Sequence, residues 1–127
     1  MPSYDREGFD PPAPLATVAL LTQDRRRSLS DVAMLIDSGA DVTLLPASAV
    51  GQLGLEADLR HGYGLMGFDG TKSIAKSVRC GLVLLGQVYW GTYLVIDDPC
   101  GILGRDVLNH VSLLLDGPSL SWQEAVK

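Results

Sequence analysis

Cysteine is scarce in this 127-residue chain: Cys80 and Cys100 are the only two, and they form no CxxC pair. Histidine is as scarce, and His61 and His110 lie far apart without metal-ligand spacing. A zinc site is therefore not expected, and each cysteine reads as a small buried apolar residue. Basic charge is also in short supply. Ten Lys and Arg against fifteen Asp and Glu leave a formal net charge of −5 and a pI near 4.7, whereas a nucleic-acid-binding domain normally carries a basic face. The one basic cluster, Arg25-Arg26-Arg27, sits in a polar stretch and reads as a solvated turn rather than a phosphate-binding patch. Long apolar runs are missing too. No window reaches the roughly 18 apolar residues of a membrane-crossing helix, and the N-terminal MPSYDREGFDPPAP lacks the charged-then-apolar pattern of a signal peptide. The expectation is a complete, soluble, cytoplasmic chain with neither membrane nor nucleic acid as partner.

What is present is a globular balance, 46% apolar and 20% charged, in a length suited to one domain. Residues 1–14 are polar and proline-rich and read as an arm; residues 15–127 read as the domain. Leu15–Thr22 and Asp31–Ile36 have strand character around a turn at 23–30. Ala47–Leu53 fits one short helical turn, kept short by Gly51 and Gly54. Asp69-Gly70, between extended runs 62–68 and 71–78, is a strong hairpin signal. A second hairpin is expected from 81–85 and 88–90 around Gly86-Gln87, followed by a strand at 92–96. Arg105–His110 is the clearest helix. Val111–Leu115 and Ser119–Trp122 read as strands joined by Asp116-Gly117-Pro118. Many short strands with regular turns make the chain mostly β.

Two motifs mislead. Gly62-x-Gly64-x-x-Gly67 matches a dinucleotide fingerprint, but a turn follows instead of a helix, and no acidic residue lies about 20 positions on. Gly70-Thr71-Lys72-Ser73 resembles the end of a phosphate loop, but Thr71 separates glycine from lysine and a strand follows.

The informative stretch is Met34-Leu-Ile-Asp-Ser-Gly-Ala40. An aspartate inside an apolar run costs several kcal/mol unless it is hydrogen-bonded or neutralised. Gly39 permits a tight turn with N–H groups facing Asp37, and Ser38 adds a hydroxyl. Those donors favour the charged carboxylate, while burial opposes it. A second carboxylate close by would make the pair share one proton. Such a pair deprotonates a water with one member and protonates a carbonyl oxygen with the other. This is peptide hydrolysis without a covalent intermediate.

Asp37-Ser38-Gly39-Ala40, preceded by Met34-Leu-Ile36, resembles the catalytic signature of aspartic proteases. Ile102-Leu-Gly-Arg-Asp106 resembles the second signature of the retropepsin branch, and 65 positions separate Asp37 from Ile102. The glycine-rich hairpin between them stands where that family carries its flap, and the likeness spans about residues 15 to 122. It implies a closed, barrel-like β fold with a flap hairpin and one short C-terminal helix. It also implies a homodimer with one Asp37 from each chain, an extended peptide as substrate, and neither metal nor organic cofactor. The catalytic positions implied are Asp37, Ser38 and Gly39. Substrate-binding positions are Ala40, Asp41, Met66, Gly67, Phe68, Asp69, Gly70 and Ile102. Gly104 and Arg105 are structural, with Asp41 and Arg105 matching a salt bridge near the interface. Met66 and Phe68 either line subsites or pack beneath the hairpin, and of Leu44, Leu45 and Ile102 at least two are expected in the core.

The resemblance has departures. Retroviral enzymes end in a strand woven into the dimer sheet, whereas this chain is expected to end in a hairpin, and its flap tip is less glycine-rich. The leading expectation is an aspartic endopeptidase. One alternative is a dimerisation or peptide-binding module of the same fold with little hydrolysis. Another is a structural β domain with Asp37 as a turn residue, which leaves the second signature and the glycine hairpin unexplained.

Overall fold

Period-two burial builds the barrel wall. Ala16, Val18 and Leu20 of β2 (Ala13–Leu21) point inward, as do Val32 and Met34 of β3 (Ser28–Ile36). So do Val78, Cys80, Leu82 and Leu84 of β6 (Lys72–Leu84). Each large side chain removed from water in this way contributes about 1.5–3 kcal/mol. The computed structural model describes residues 2–56, 58–66 and 72–125, and the side chains within 58–66 and 72–75 are not among what it describes. The remaining elements are β1 (Tyr4–Asp5), β4 (Leu44–Pro46), α1 (Ala47–Leu53), β5 (Asp58–Met66) and β7 (Gln87–Ile96), then β8 (Gly101–Leu103), α2 (Arg105–Leu108), β9 (Leu113–Asp116) and β10 (Ser121–Glu124).

The sheet runs β1-β2-β3-β8-β4-β7-β6-β5, and an added β2–β6 pairing closes six of these strands into a mixed barrel. Closure depends on a bulge. The β2–β3 register jumps from Val18↔Val32 to Leu20↔Leu29, which leaves Ser30 and Asp31 opposite Ala19 alone. Asp31 takes a φ of 62° there. A bulge bends and twists its strand, and from Ala19 onward β2 also pairs with β6. The mostly β, closed fold expected from the sequence is what the chain adopts.

Two expectations need correction. The strands expected at 71–78 and 81–85 are one continuous β6, and those at 88–90 and 92–96 are one continuous β7, paired from Ser77↔Leu94 to Leu84↔Gln87. Gly81 is not a break. It makes room for side chains lying across the sheet, since a Cβ there would stand 2.9 Å from Val88 Cγ1 and 3.0 Å from Trp90 Cζ3. The true reversal is Leu85-Gly86, both at positive φ (51° and 79°). The C-terminal strands lie about two residues later than expected, and α2 ends at Leu108 rather than His110.

The arm at the N-terminus is tied down. Tyr4 and Asp5 pair with Pro14 and Ala13, Tyr4 N–H donates to the Leu120 carbonyl (3.0 Å), and Trp122 N–H donates to the Pro2 carbonyl (3.3 Å). Trp122, buried to 3% exposure, anchors the β9–β10 hairpin by donating its indole N–H to the Leu15 carbonyl (2.8 Å). Among the described residues no helix is long and apolar enough to cross a membrane.

Candidate active site

Parallel pairing of β3 with β8, through Met34↔Gly101 to Ile36↔Leu103, brings the ends of two strands out at the same end of the barrel. The turn leaving β3 and the helix start leaving β8 form the site. Asp37 N–H continues the ladder by donating to the Leu103 carbonyl (3.1 Å), and Ala40 N–H then closes a turn onto the Asp37 carbonyl (3.1 Å). Inside that turn Gly39 N–H donates to Asp37 Oδ1 (2.9 Å). A Cβ on residue 39 would sit 3.1 Å from that same oxygen, so glycine keeps the carboxylate uncrowded. Asp37 is half-buried, while Ser38 and Gly39 face solvent.

The loop is held from two sides by consecutive residues at the start of α2. Arg105 works on the outside. Its N–H donates to the Ala40 carbonyl (2.9 Å), its Nη1 donates to the Ser38 carbonyl (2.8 Å), and its Nη2 pairs with the Asp41 carboxylate. Asp106 works on the inside. Its Oδ1 accepts from the Thr43 hydroxyl (2.6 Å) and its Oδ2 from the Thr43 N–H (3.1 Å). Thr43 is fully buried, and its hydroxyl oxygen also accepts from Gly104 N–H (3.1 Å). Gly104 is required by space rather than by φ, because a Cβ there would overlap the Val42 carbonyl. The turn carrying Asp37 is thus fixed by hydrogen-bonded backbone positions and by two charged side chains. Pre-organisation of that kind is what a positioned acid–base group needs.

The candidate residues fall into three groups. Asp37, Ser38, Gly39, Ala40, Asp41, Gly104 and Arg105 are brought together. Ile102 lies beside them, opposite Leu44 in register, in a small apolar cluster with Leu94, Val42 and Ile96 that is separate from the main core. Leu44 and Leu45 are buried and Ile102 is half-buried. Met66 ends the described part of β5, paired with Lys72; Gly67, Phe68, Asp69 and Gly70 lie outside the described residues. Sequence reasoning missed Thr43 and Asp106. The usable signal was a hydroxyl residue inside the apolar run 42–46, together with an acid in the first turn of a helix. Asp98 accepts from Cys100 N–H (2.9 Å) in its own turn. Among the described residues no group of three or more His, Cys, Asp or Glu side chains could hold a metal ion.

A closed mixed barrel, with an Asp-Ser-Gly turn at the end of one strand and a glycine-led helix start at the end of its parallel neighbour, defines a retropepsin-like fold. Solved structures agree. The EIAV protease, in complex with the inhibitor HBY-793, superposes with a TM-score of 0.60 at 26% identity, over 77% of this chain and 86% of that one. The retroviral protease-like domain of Ddi1 from Leishmania major superposes with a TM-score of 0.51 at 17% identity, over 89% and 90%. No protein-family model matches the chain, and no curated protein matches it.

Proposed function

We propose that this protein is an aspartic endopeptidase in which Asp37 and the Asp37 of a second copy activate one water. The observation that carries the reading is the buttressed turn: a half-buried aspartate with one oxygen held by Gly39 N–H, on a loop clamped by Arg105 and by the Thr43–Asp106 pair. Two like carboxylates facing across a two-fold axis share a single proton. The ionised member takes a proton from water as it attacks the peptide carbonyl, and the protonated member donates to the carbonyl oxygen. The β5–β6 hairpin is the flap that closes over an extended substrate and excludes water. Ile102 and its apolar neighbours offer a wall for a substrate side chain. A cytoplasmic location belongs to the same reading.

The edge of β9 supports a reading in which the second copy docks there. Among the described residues β9 pairs only with β10, and Leu114 and Leu115 are 51% and 50% exposed. An unpaired strand edge with apolar residues on both faces invites pairing with another chain, and two identical edges meeting antiparallel generate a two-fold axis. This edge belongs to the correct end of the barrel. Trp122 fastens the hairpin to Leu15, Leu15 pairs with Leu35, and Leu35 lies two residues before Asp37.

The test is cleavage of a diverse peptide library between pH 4 and 7 by the parent and by Asp37→Asn. The expected result is specific cleavage by the parent and none by the variant. Equal cleavage by both proteins would refute the dyad. No cleavage by either, from folded dimer, would favour a peptide-binding module.

A further inference from the structure

The Arg25-Arg26-Arg27 run is the solvated turn expected from the sequence, with all three residues exposed, and Arg25 within it lies over an aromatic ring. The β2–β3 loop reaches the outer face of β6–β7, where the Arg25 guanidinium carbon lies 5.1 Å from the centroid of the Trp90 ring. Trp90 is 45% exposed and its ring covers Gly81. The loop is held in place by its own bonds. Thr22 N–H donates to the Arg27 carbonyl (3.0 Å) and Arg25 N–H to the Thr22 carbonyl (2.9 Å), while Arg27 N–H donates to the Thr22 hydroxyl oxygen (3.1 Å). Arg25 adopts a φ of 62°, a left-handed conformation unfavourable for a side chain of its size.

Asp24, the loop's own acid, is exposed, but its carboxylate is engaged within the loop. It accepts from the Thr22 hydroxyl (2.6 Å) and from Arg26 N–H (2.9 Å). Beside the ring is a groove of about 250 Å³ lined by Gln23, Arg79, Trp90 and Thr92 among others; Arg79 and Thr92 face each other across β6 and β7. Arg27 turns away, toward Gly54. Among the described residues the one ion pair is Arg105 with Asp41, so Arg25, Arg26 and Arg79 have no carboxylate partner there.

We propose that the Trp90 face, bounded by Arg25 and Arg79, docks an extended acidic peptide segment of another protein. Charge selects the occupant. On a chain of net charge −5 this face is a local inversion of sign, so an acidic segment is repelled elsewhere and oriented here. Guanidinium groups bind carboxylates through paired N–H donors. The aromatic ring offers apolar area to the segment's methylene groups, and Gln23 and Thr92 offer hydrogen bonds. Nucleic acid is the poorer fit, because it calls for a broad basic face. The face also lies away from Asp37. The loop precedes β3, whose nine residues span about 30 Å at about 3.3 Å each, so docking leaves the cleft free and stands or falls independently of hydrolysis.

The experiment is titration of the full chain with a ten-residue glutamate-rich peptide, followed by tryptophan fluorescence and calorimetry, beside a glutamine-rich peptide and an oligonucleotide of equal charge. The expected result is binding of the acidic peptide that weakens with salt. Arg25→Gln combined with Arg79→Gln lowers affinity about tenfold, whereas Arg6→Gln leaves it unchanged. If the double variant fails to fold, Thr92→Glu, which puts a carboxylate on an exposed strand position beside the groove, must give the same loss. Absence of binding at millimolar peptide, unaltered affinity in the folded variants, equal binding of the glutamine-rich peptide, or equal or tighter binding of the oligonucleotide would overturn the proposal.

Discussion

Thr43 holds more of the site together than its size suggests. Its hydroxyl donates to Asp106 and accepts from Gly104 N–H with no exposure to water. Thr43→Val preserves the shape, leaves Gly104 N–H without its acceptor and removes one donor from Asp106. A cost of about 2–3 kcal/mol is expected, read by urea unfolding, with Thr43→Ser retaining most of the stability. Equal unfolding midpoints for the valine variant and the parent would show that the clamp is idle. Asp41 is the opposite case. Its side chain is 82% exposed, and exposed ion pairs contribute little, so Arg105 acts on the loop mainly through the Ser38 carbonyl. Cys80 gives a pH dependence. Burial pushes its thiol up to about 11 from an ordinary value near 9. The unfolded chain therefore ionises first, binds fewer protons than the folded one above pH 9, and gains stability relative to it as pH rises. The free energy of unfolding should fall between pH 9 and 11, by up to about 3 kcal/mol from this group. Cys80→Ala should flatten the slope measured between pH 9 and 10; an unchanged slope would assign the effect elsewhere.

Glycine carries two different messages in these strands, and only one is a turn. At Gly81 the missing side chain accommodates Trp90 and Val88, so β6 continues where the sequence suggests a stop. At Gly86 the positive φ marks a real reversal. Local pattern does not separate the two, because the difference lies in what a neighbouring strand lays over the position. The same reason hides β4 and β8, three residues each. They are strands because they pair with partners distant in sequence, β8 with β3 and β4 with β7. The Asp-Ser-Gly turn was legible because its chemistry is local, whereas the Thr43–Asp106 bond spans 63 positions and leaves no spacing to read. The Leu85-Gly86 reversal supports a prediction about its element. Leu85 holds a φ of 51° and is 37% exposed, so it bears the cost of a left-handed conformation without the full burial of a core leucine. Asparagine tolerates that conformation, and Asn-Gly is the preferred pair for a two-residue hairpin turn. Leu85→Asn should stabilise the protein by about 0.5–1 kcal/mol, seen as a Tm higher by a few degrees. A lower Tm would mean that Leu85 packing outweighs the strain.

For the whole molecule, the proposed chemistry and the proposed assembly are one question, because a lone Asp37 has no second carboxylate to share its proton. The barrel, the clamp and the β9 edge are each complete in one chain, so a monomer should fold and still be inactive. This separates dimerisation from folding in a way that can be measured. Leu114→Lys with Leu115→Lys puts charges on both faces of an edge strand whose side chains are half-exposed in the monomer, where they support little of the core. Like charges brought together at a self-pairing edge oppose association. The double variant should keep the parent's circular dichroism and sediment as a monomer at concentrations where the parent is a dimer. It should lose cleavage as completely as Asp37→Asn. Rate measurements on the parent supply the complement: below the dissociation constant, activity should fall with the square of total protein, since only pairs contribute. A double variant that remains dimeric and active would move the two-fold axis to another surface. A folded monomer that cleaves as fast as the parent would remove the second Asp37 from the mechanism, and a single-chain partner for the carboxylate would then have to be found.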